Sequence, residues 1–62
     1  MRITLIERTA NYVVVRCTGG VHFPISYATW DRFIKKFGKM TLPFNVPKKA
    51  REFLTTHALI PM

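Results

Sequence analysis

The first 25 residues contain three short segments rich in β-branched and other apolar residues, at about 2–8, 12–18 and 21–25. Such segments, separated by turn-forming residues, are typical of β-strands. The third segment alternates cleanly, and Pro24 within it cannot donate a ladder hydrogen bond, so we expect this strand at a sheet edge. The pattern predicts a three-stranded antiparallel β-meander.

The two loops decide which side chains share a face of this sheet. Residues 9–11 and 18–20 both fit three-residue hairpin loops, which commonly end on a left-handed residue, here Asn11 and Gly20. This register pairs Leu5 with Val15, Arg8 with Tyr12, Cys17 with Val21, and Val15 with Phe23. It gathers the apolar residues on one face: Ile3, Leu5, Val13, Val15, Cys17, Val21, Phe23 and Ile25. The alternative, a two-residue Gly-Gly turn, would divide this set, because a one-residue slip turns every side chain to the other face.

Two helices are predicted after the strands, which gives an α+β fold. The first, amphipathic and at about 27–37, follows the N-cap candidate Ser26, precedes Gly38, and packs on the sheet. Its apolar stripe comprises Tyr27, Trp30, Phe33, Ile34 and Phe37. Residues 40–47 contain two prolines and are expected to be extended. A second short helix, at about 47–58, begins near Pro47, and Pro61 is expected to end regular structure.

The composition is that of one small domain. The chain has 62 residues, of which 48% are hydrophobic, and a chain of this size buries only about 60% of its unfolded surface. Its core is therefore thin, and dimerisation is one remedy, so a homodimer is one expected state. Cys17 is the only cysteine, which indicates a reducing compartment. The N-terminal segment has no signal-peptide core and no apolar run approaches about 18 residues, so we expect a cytoplasmic protein that does not contact membranes.

The residues that carry catalysis or bind metals form no recognisable set. Cys17, His22 and His57 are too few to supply the four ligands of a structural zinc. Ser26 is the only serine and is explained as a helix cap, and three acids leave little for carboxylate catalysis. Both histidines are expected to be surface residues. We therefore expect a non-enzymatic protein with no cofactor.

Positive charge is the strongest functional signal. Ten Lys and Arg residues oppose three Asp and Glu residues, which gives a net charge of +7. Residues 1–31 hold three arginines against two acids, whereas residues 32–62 hold seven basic residues against one acid. Such a field attracts polyanions. The sequence thus favours a regulatory or accessory protein that binds nucleic acid, DNA more than RNA; the alternative is a regulator or inhibitor that binds an acidic surface of a larger protein.

The outer face of the predicted sheet is the first candidate surface. The register places on it Arg2, Thr4, Ile6, Arg8, Tyr12, Val14, Arg16, Thr18 and His22. Arginine forks match guanine edges and phosphates, so Arg8, Tyr12 and Arg16 are expected to contact bases. A three-stranded sheet backed by a helix resembles several small DNA-binding domains that present the sheet to the major groove. The alternative is a solvated face, or one partly covered by the second helix.

The helical half is the second candidate surface. Its proposed phosphate contacts are Lys35, Lys36, Lys39, Lys48, Lys49 and Arg51. If the helices pack closely, these residues converge into one patch that contacts phosphates without reading sequence. The alternative is that they serve solubility alone.

Overall fold

The computed structural model describes residues 1–59 and has the predicted α+β architecture, with one additional strand. The meander consists of β1 (Arg2–Arg8), β2 (Tyr12–Cys17) and β3 (His22–Ser26). Helix α1 (Tyr27–Phe37) follows, then a two-residue strand β4 (Phe44–Asn45) and helix α2 (Lys48–His57). The strands are antiparallel in the order β3-β2-β1-β4, so the sheet has four strands. Pro61 lies outside the described residues.

The hairpin of β2 and β3 has the predicted register. Val15 lies opposite Phe23, and the loop is the predicted Thr18–Gly20, which forms one 3-10 turn. Gly19 and Gly20 both have a φ of 79°, a left-handed conformation that glycine adopts at little cost. The glycines therefore close this loop in the expected place.

Strand β3 lies at the edge of the sheet, as Pro24 predicted. The Pro24 carbonyl accepts a hydrogen bond of 2.7 Å from the backbone N–H of Leu59, which follows α2. The prediction that Val21 lies in the core is wrong. It comes just before β3, at the end of the loop, and 36% of its surface is exposed.

The hairpin of β1 and β2 departs from the predicted register by one residue. Arg8 lies opposite Val13 rather than Tyr12. The Thr9 N–H donates to the Tyr12 carbonyl at 2.9 Å, which leaves a two-residue loop of Ala10 and Asn11. Neither loop residue adopts the left-handed conformation. The Thr9 hydroxyl instead accepts the Tyr12 N–H at 3.0 Å and closes a tighter turn, so the predicted three-residue loop is wrong.

A β-bulge in β1 restores the predicted register at the end of the hairpin away from the turn. Ile3 lies opposite Cys17, as the three-residue loop predicts, but Leu5 lies opposite Arg16. Strand β1 therefore contains one extra residue, Thr4, between these two pairs. The Thr4 hydroxyl donates to the Arg16 carbonyl at 3.4 Å across the bulge.

Between the bulge and the turn, each β1 side chain faces the side opposite to the prediction, because one extra residue inverts the alternation. Ile6, not Leu5, lies opposite Val15 and packs against the core. Leu5 is 49% exposed. Glu7 joins the outer face of the sheet, and Arg8 leaves it.

Helix α1 has the predicted bounds because both of its ends are capped. The Ser26 hydroxyl accepts the Thr29 N–H at 3.2 Å at the beginning. The Gly38 N–H donates to the Ile34 carbonyl at 2.7 Å at the end, where Gly38 has a φ of 83°.

Strand β4 and helix α2 arise from the two-proline segment. Phe44 lies opposite Ile3, so the extended segment adds a short strand beside β1. Helix α2 then follows Pro47, whose carbonyl accepts the Arg51 N–H at 3.0 Å. Within residues 1–59, neither helix has the length and apolar run needed to span a bilayer.

One cluster of buried side chains joins the sheet to both helices. Its members are Ile3, Val13, Val15, Cys17, Phe23, Ile25, Trp30, Phe33, Ala50 and Leu54. Since α2 supplies Ala50 and Leu54, it packs on the same side of the sheet as α1. The two helices consequently present a joint surface on one side of the molecule, and the outer face of the sheet lies on the other.

Candidate nucleic-acid interface

The outer face of the sheet carries mixed charge. The Arg16 guanidinium Nε contacts the Glu7 carboxylate, and these side chains are 48% and 44% exposed. Glu7 lies on this face only because the bulge inverts the alternation in β1. This is the one ion pair among residues 1–59. The carboxylate neutralises the arginine that was expected to contact bases here.

The structure separates the residues of the first candidate surface. Tyr12 and Arg16 alternate with buried β2 residues and lie on the outer face, and Arg2 precedes the buried Ile3. Arg8 lies opposite the buried Val13 instead, and is exposed at the end of β1. The predicted group of arginines around Tyr12 is therefore not formed.

The helical half carries a larger and less compensated charge. All seven of its basic side chains are exposed, and in the described part of the chain none is within ion-pair distance of an acid. They are Arg32, Lys35, Lys36, Lys39, Lys48, Lys49 and Arg51. The only acids near them in sequence are Asp31 and Glu52. Seven cations with no acidic partner give this surface a strong attraction for anions.

One groove brings basic residues of the two helices together. It has a volume of about 390 Å³ and is lined by Lys36 of α1 and by Lys49, Glu52, Phe53, Thr56 and His57 of α2. The Lys36 ammonium lies 5.8 Å from the centre of the Phe37 ring and 6.0 Å from that of Phe53. We call this feature the interhelical groove.

A second hollow, of about 410 Å³, adjoins the first along α2. It is lined by Lys48, Arg51, Glu52, Thr55 and Thr56. Lys35 and Lys39 line neither feature. Lys35 is rotated by about 100° around α1 from Lys36, and Lys39 follows the helix end at Gly38. The two features thus bring together four residues of the predicted patch: Lys36, Lys48, Lys49 and Arg51. Lys35 and Lys39 lie outside them.

Sequence reasoning missed the residues that give the interhelical groove its shape. Neither residue was predicted to take part in binding: Phe53 lies within the predicted second helix, and His57 was predicted only to be a surface residue. Lys49, Phe53 and His57 are spaced by four residues, so they form one row along the helix. That spacing was the available signal, but nothing in the sequence indicated that this row would face Lys36.

Residues 1–59 contain no group of three or more His, Cys, Asp or Glu side chains that could hold a metal ion. Cys17 is buried between sheet and helices, and this burial raises the pKa of its thiol, while the N-terminal ammonium acts in the opposite direction. A thiol held in its neutral form is a packing group and a poor nucleophile.

No model of a protein family, no curated protein and no solved structure matches this chain. Its function must therefore be inferred from the arrangement of its own residues.

Proposed function

We propose that this chain is a small nucleic-acid-binding protein with a regulatory or accessory role, and that it contacts phosphates through the exposed basic residues of its helices. One observation carries the proposal: basic residues from both helices, Lys36 and Lys49, line a single groove, and no acid pairs with them within residues 1–59. Lys48 and Arg51 extend this basic surface along α2. Such contacts bind phosphate without reading sequence.

The position of Lys48 and Lys49 supports a binding role over a purely solubilising one. They occupy the first turn of α2, where the positive end of the helix dipole opposes positive charge. Lys35 and Lys36, by contrast, lie in the last turn of α1, where positive charge is favourable. Two lysines at this helix end therefore carry an electrostatic cost to the fold. An anionic ligand at this helix end relieves the electrostatic cost.

The outer face of the sheet is not part of the proposed interface. The Glu7 carboxylate pairs with Arg16, and Arg8 faces the other side of the sheet. Base contacts by Arg8, Tyr12 and Arg16 as one group are consequently not proposed.

Binding is tested by fluorescence anisotropy with labelled duplex DNA, single-stranded DNA and RNA over a salt series. Each lost lysine–phosphate contact lowers the magnitude of the log–log salt slope by about 0.9 on duplex and about 0.7 on single strands. Lys36→Ala combined with Lys49→Ala is therefore expected to lower it by about 1.8 or about 1.4, respectively.

The matched control is Arg2→Ala with Arg8→Ala, which removes the same charge from two exposed residues of β1. It is expected to leave the slope unchanged. Equal losses in both double variants would contradict the proposed surface. Absence of binding to every nucleic acid at low salt would overturn the proposal, and an acidic protein surface would then be the polyanion to test, by pull-down from nuclease-treated lysate.

A further inference from the structure

Resting on the proposed function, we infer that the interhelical groove binds single-stranded nucleic acid, with an unpaired base stacked on His57 and the adjoining phosphates at Lys36 and Lys49. The groove is open to solvent and has a volume of about 390 Å³. Both aromatic and cationic side chains line it.

The aromatic side chains of the groove pack on rings of the core. The Phe53 ring lies 5.7 Å from that of the fully buried Phe33 and 6.2 Å from that of Phe37, both in edge-to-face contacts. The His57 ring then packs on Phe53 with 4.5 Å between ring centres. His57 is therefore positioned by the core although it lies at the surface.

The His57 side chain is exposed to solvent. In the proposed complex the base stacks on the side of the ring away from Phe53. An aromatic side chain in this position stacks on a nucleobase of any sequence, and each such contact contributes about 1–3 kcal/mol. Bases in a duplex are stacked on one another and do not offer a free face. The contact therefore selects single strands.

The two lysines of the groove are the proposed contacts for the backbone of the stacked strand. Lys49 is two helical turns before His57 in the same row of α2, and Lys36 faces this row from α1. The contact of Lys36 with the Phe37 and Phe53 rings keeps its ammonium at the groove. Glu52 also lines the groove, and its negative charge opposes a phosphate beside it.

The test compares a labelled single-stranded oligodeoxynucleotide with the duplex of the same sequence. Wild type is expected to bind the single strand more tightly. His57→Ala should weaken single-strand binding by about fivefold or more and leave duplex binding unchanged, because about 1 kcal/mol of stacking corresponds to that ratio. His57→Phe, which keeps an aromatic ring, should restore the affinity.

His22→Ala is the matched control, since His22 is also exposed and lies at the sheet edge, outside the groove. It should change neither affinity. If His57→Ala has no effect, or weakens both nucleic acids equally, the stacking site is overturned while salt-dependent binding through the lysines still stands. If neither nucleic acid binds wild type, the proposed function fails with it.

Discussion

The two hairpins of the sheet begin from similar loops and end in different registers. Residues 9–11 and Thr18–Gly20 each offer three turn-forming residues, yet only the second forms a three-residue loop. Gly20 supplies a left-handed conformation without steric cost. Asn11 does not adopt it, and the Thr9 hydroxyl closes a two-residue turn in its place. Gly20 thus fixes the length of its loop, whereas the hydrogen bonds of Thr9, and not the conformation of Asn11, fix the length of the first loop.

This difference changes the chemistry of the outer face. The tighter first turn shifts β1 by one residue as far as the bulge at Thr4. The shift removes Arg8 from the face that carries Arg16 and places Glu7 on that face. A single turn therefore converts a predicted arginine cluster into an ion pair, and leaves the helices as the main basic surface.

The largest expected effect tests the hairpin with the predicted register. Phe23 is 6% exposed and lies opposite Val15, so Phe23→Ala should destabilise the fold by about 3–5 kcal/mol. A domain of this size has a total stability of only about 3–5 kcal/mol, so the variant should be largely unfolded at room temperature. Circular dichroism melts measure the loss.

Val21→Ala is the control for that hairpin. Val21 is 36% exposed in the structure, and its truncation should stay within about 0.5 kcal/mol. A thermal midpoint of Phe23→Ala close to that of wild type would show that the strand faces the other way. A large loss in Val21→Ala would show that Val21 is buried, as the sequence predicted.

An intermediate effect tests the shifted hairpin. Ile6→Ala should cost about 1–2 kcal/mol, below the range of about 2–5 kcal/mol for fully buried side chains, because Ile6 is only half-buried. Leu5→Ala should change the free energy of unfolding by no more than about 0.5 kcal/mol, since Leu5 is exposed. Chemical denaturation of the two variants gives both values. A regular strand in the register of the predicted three-residue loop requires the reverse order, with Leu5 the costlier truncation.

Most of the fold could be predicted from local signals in the sequence. Helix α1 lies between two good caps, Ser26 and Gly38, and its bounds were predicted correctly. The second hairpin has a glycine loop and a strand with clean alternation. The bulge at Thr4 has no such signal, because both Leu5 and Ile6 are apolar and either fits the inner face. The turn that the Thr9 hydroxyl closes decides between them.

The candidate site was likewise predictable only in part from the sequence. Exposed lysines were predictable from composition and helical spacing. The interhelical groove depends on the angle at which α2 packs on α1, and this angle follows from contacts such as Phe33 with Phe53 that no spacing rule specifies. Strand β4 was not predicted for a related reason. Phe44 pairs with β1 only after the chain has returned to the edge of the sheet, and local sequence does not specify this return.

The smallest expected effect asks whether the ion pair on the outer face matters for binding. Glu7→Gln should cost less than about 1 kcal/mol, since exposed ion pairs contribute little. It leaves Arg16 without its carboxylate and raises the net charge by one. If nucleic acid binds only to the helices, the salt slope should match that of Asp31→Asn, which changes the charge equally at an exposed acid of α1 that pairs with no base within residues 1–59. If the sheet face also binds, the released Arg16 gains a phosphate contact, and the slope of Glu7→Gln alone should steepen by about 0.7–0.9. Anisotropy titrations of both variants distinguish the two outcomes, because each variant raises the net charge by one and only Glu7→Gln removes the carboxylate from Arg16.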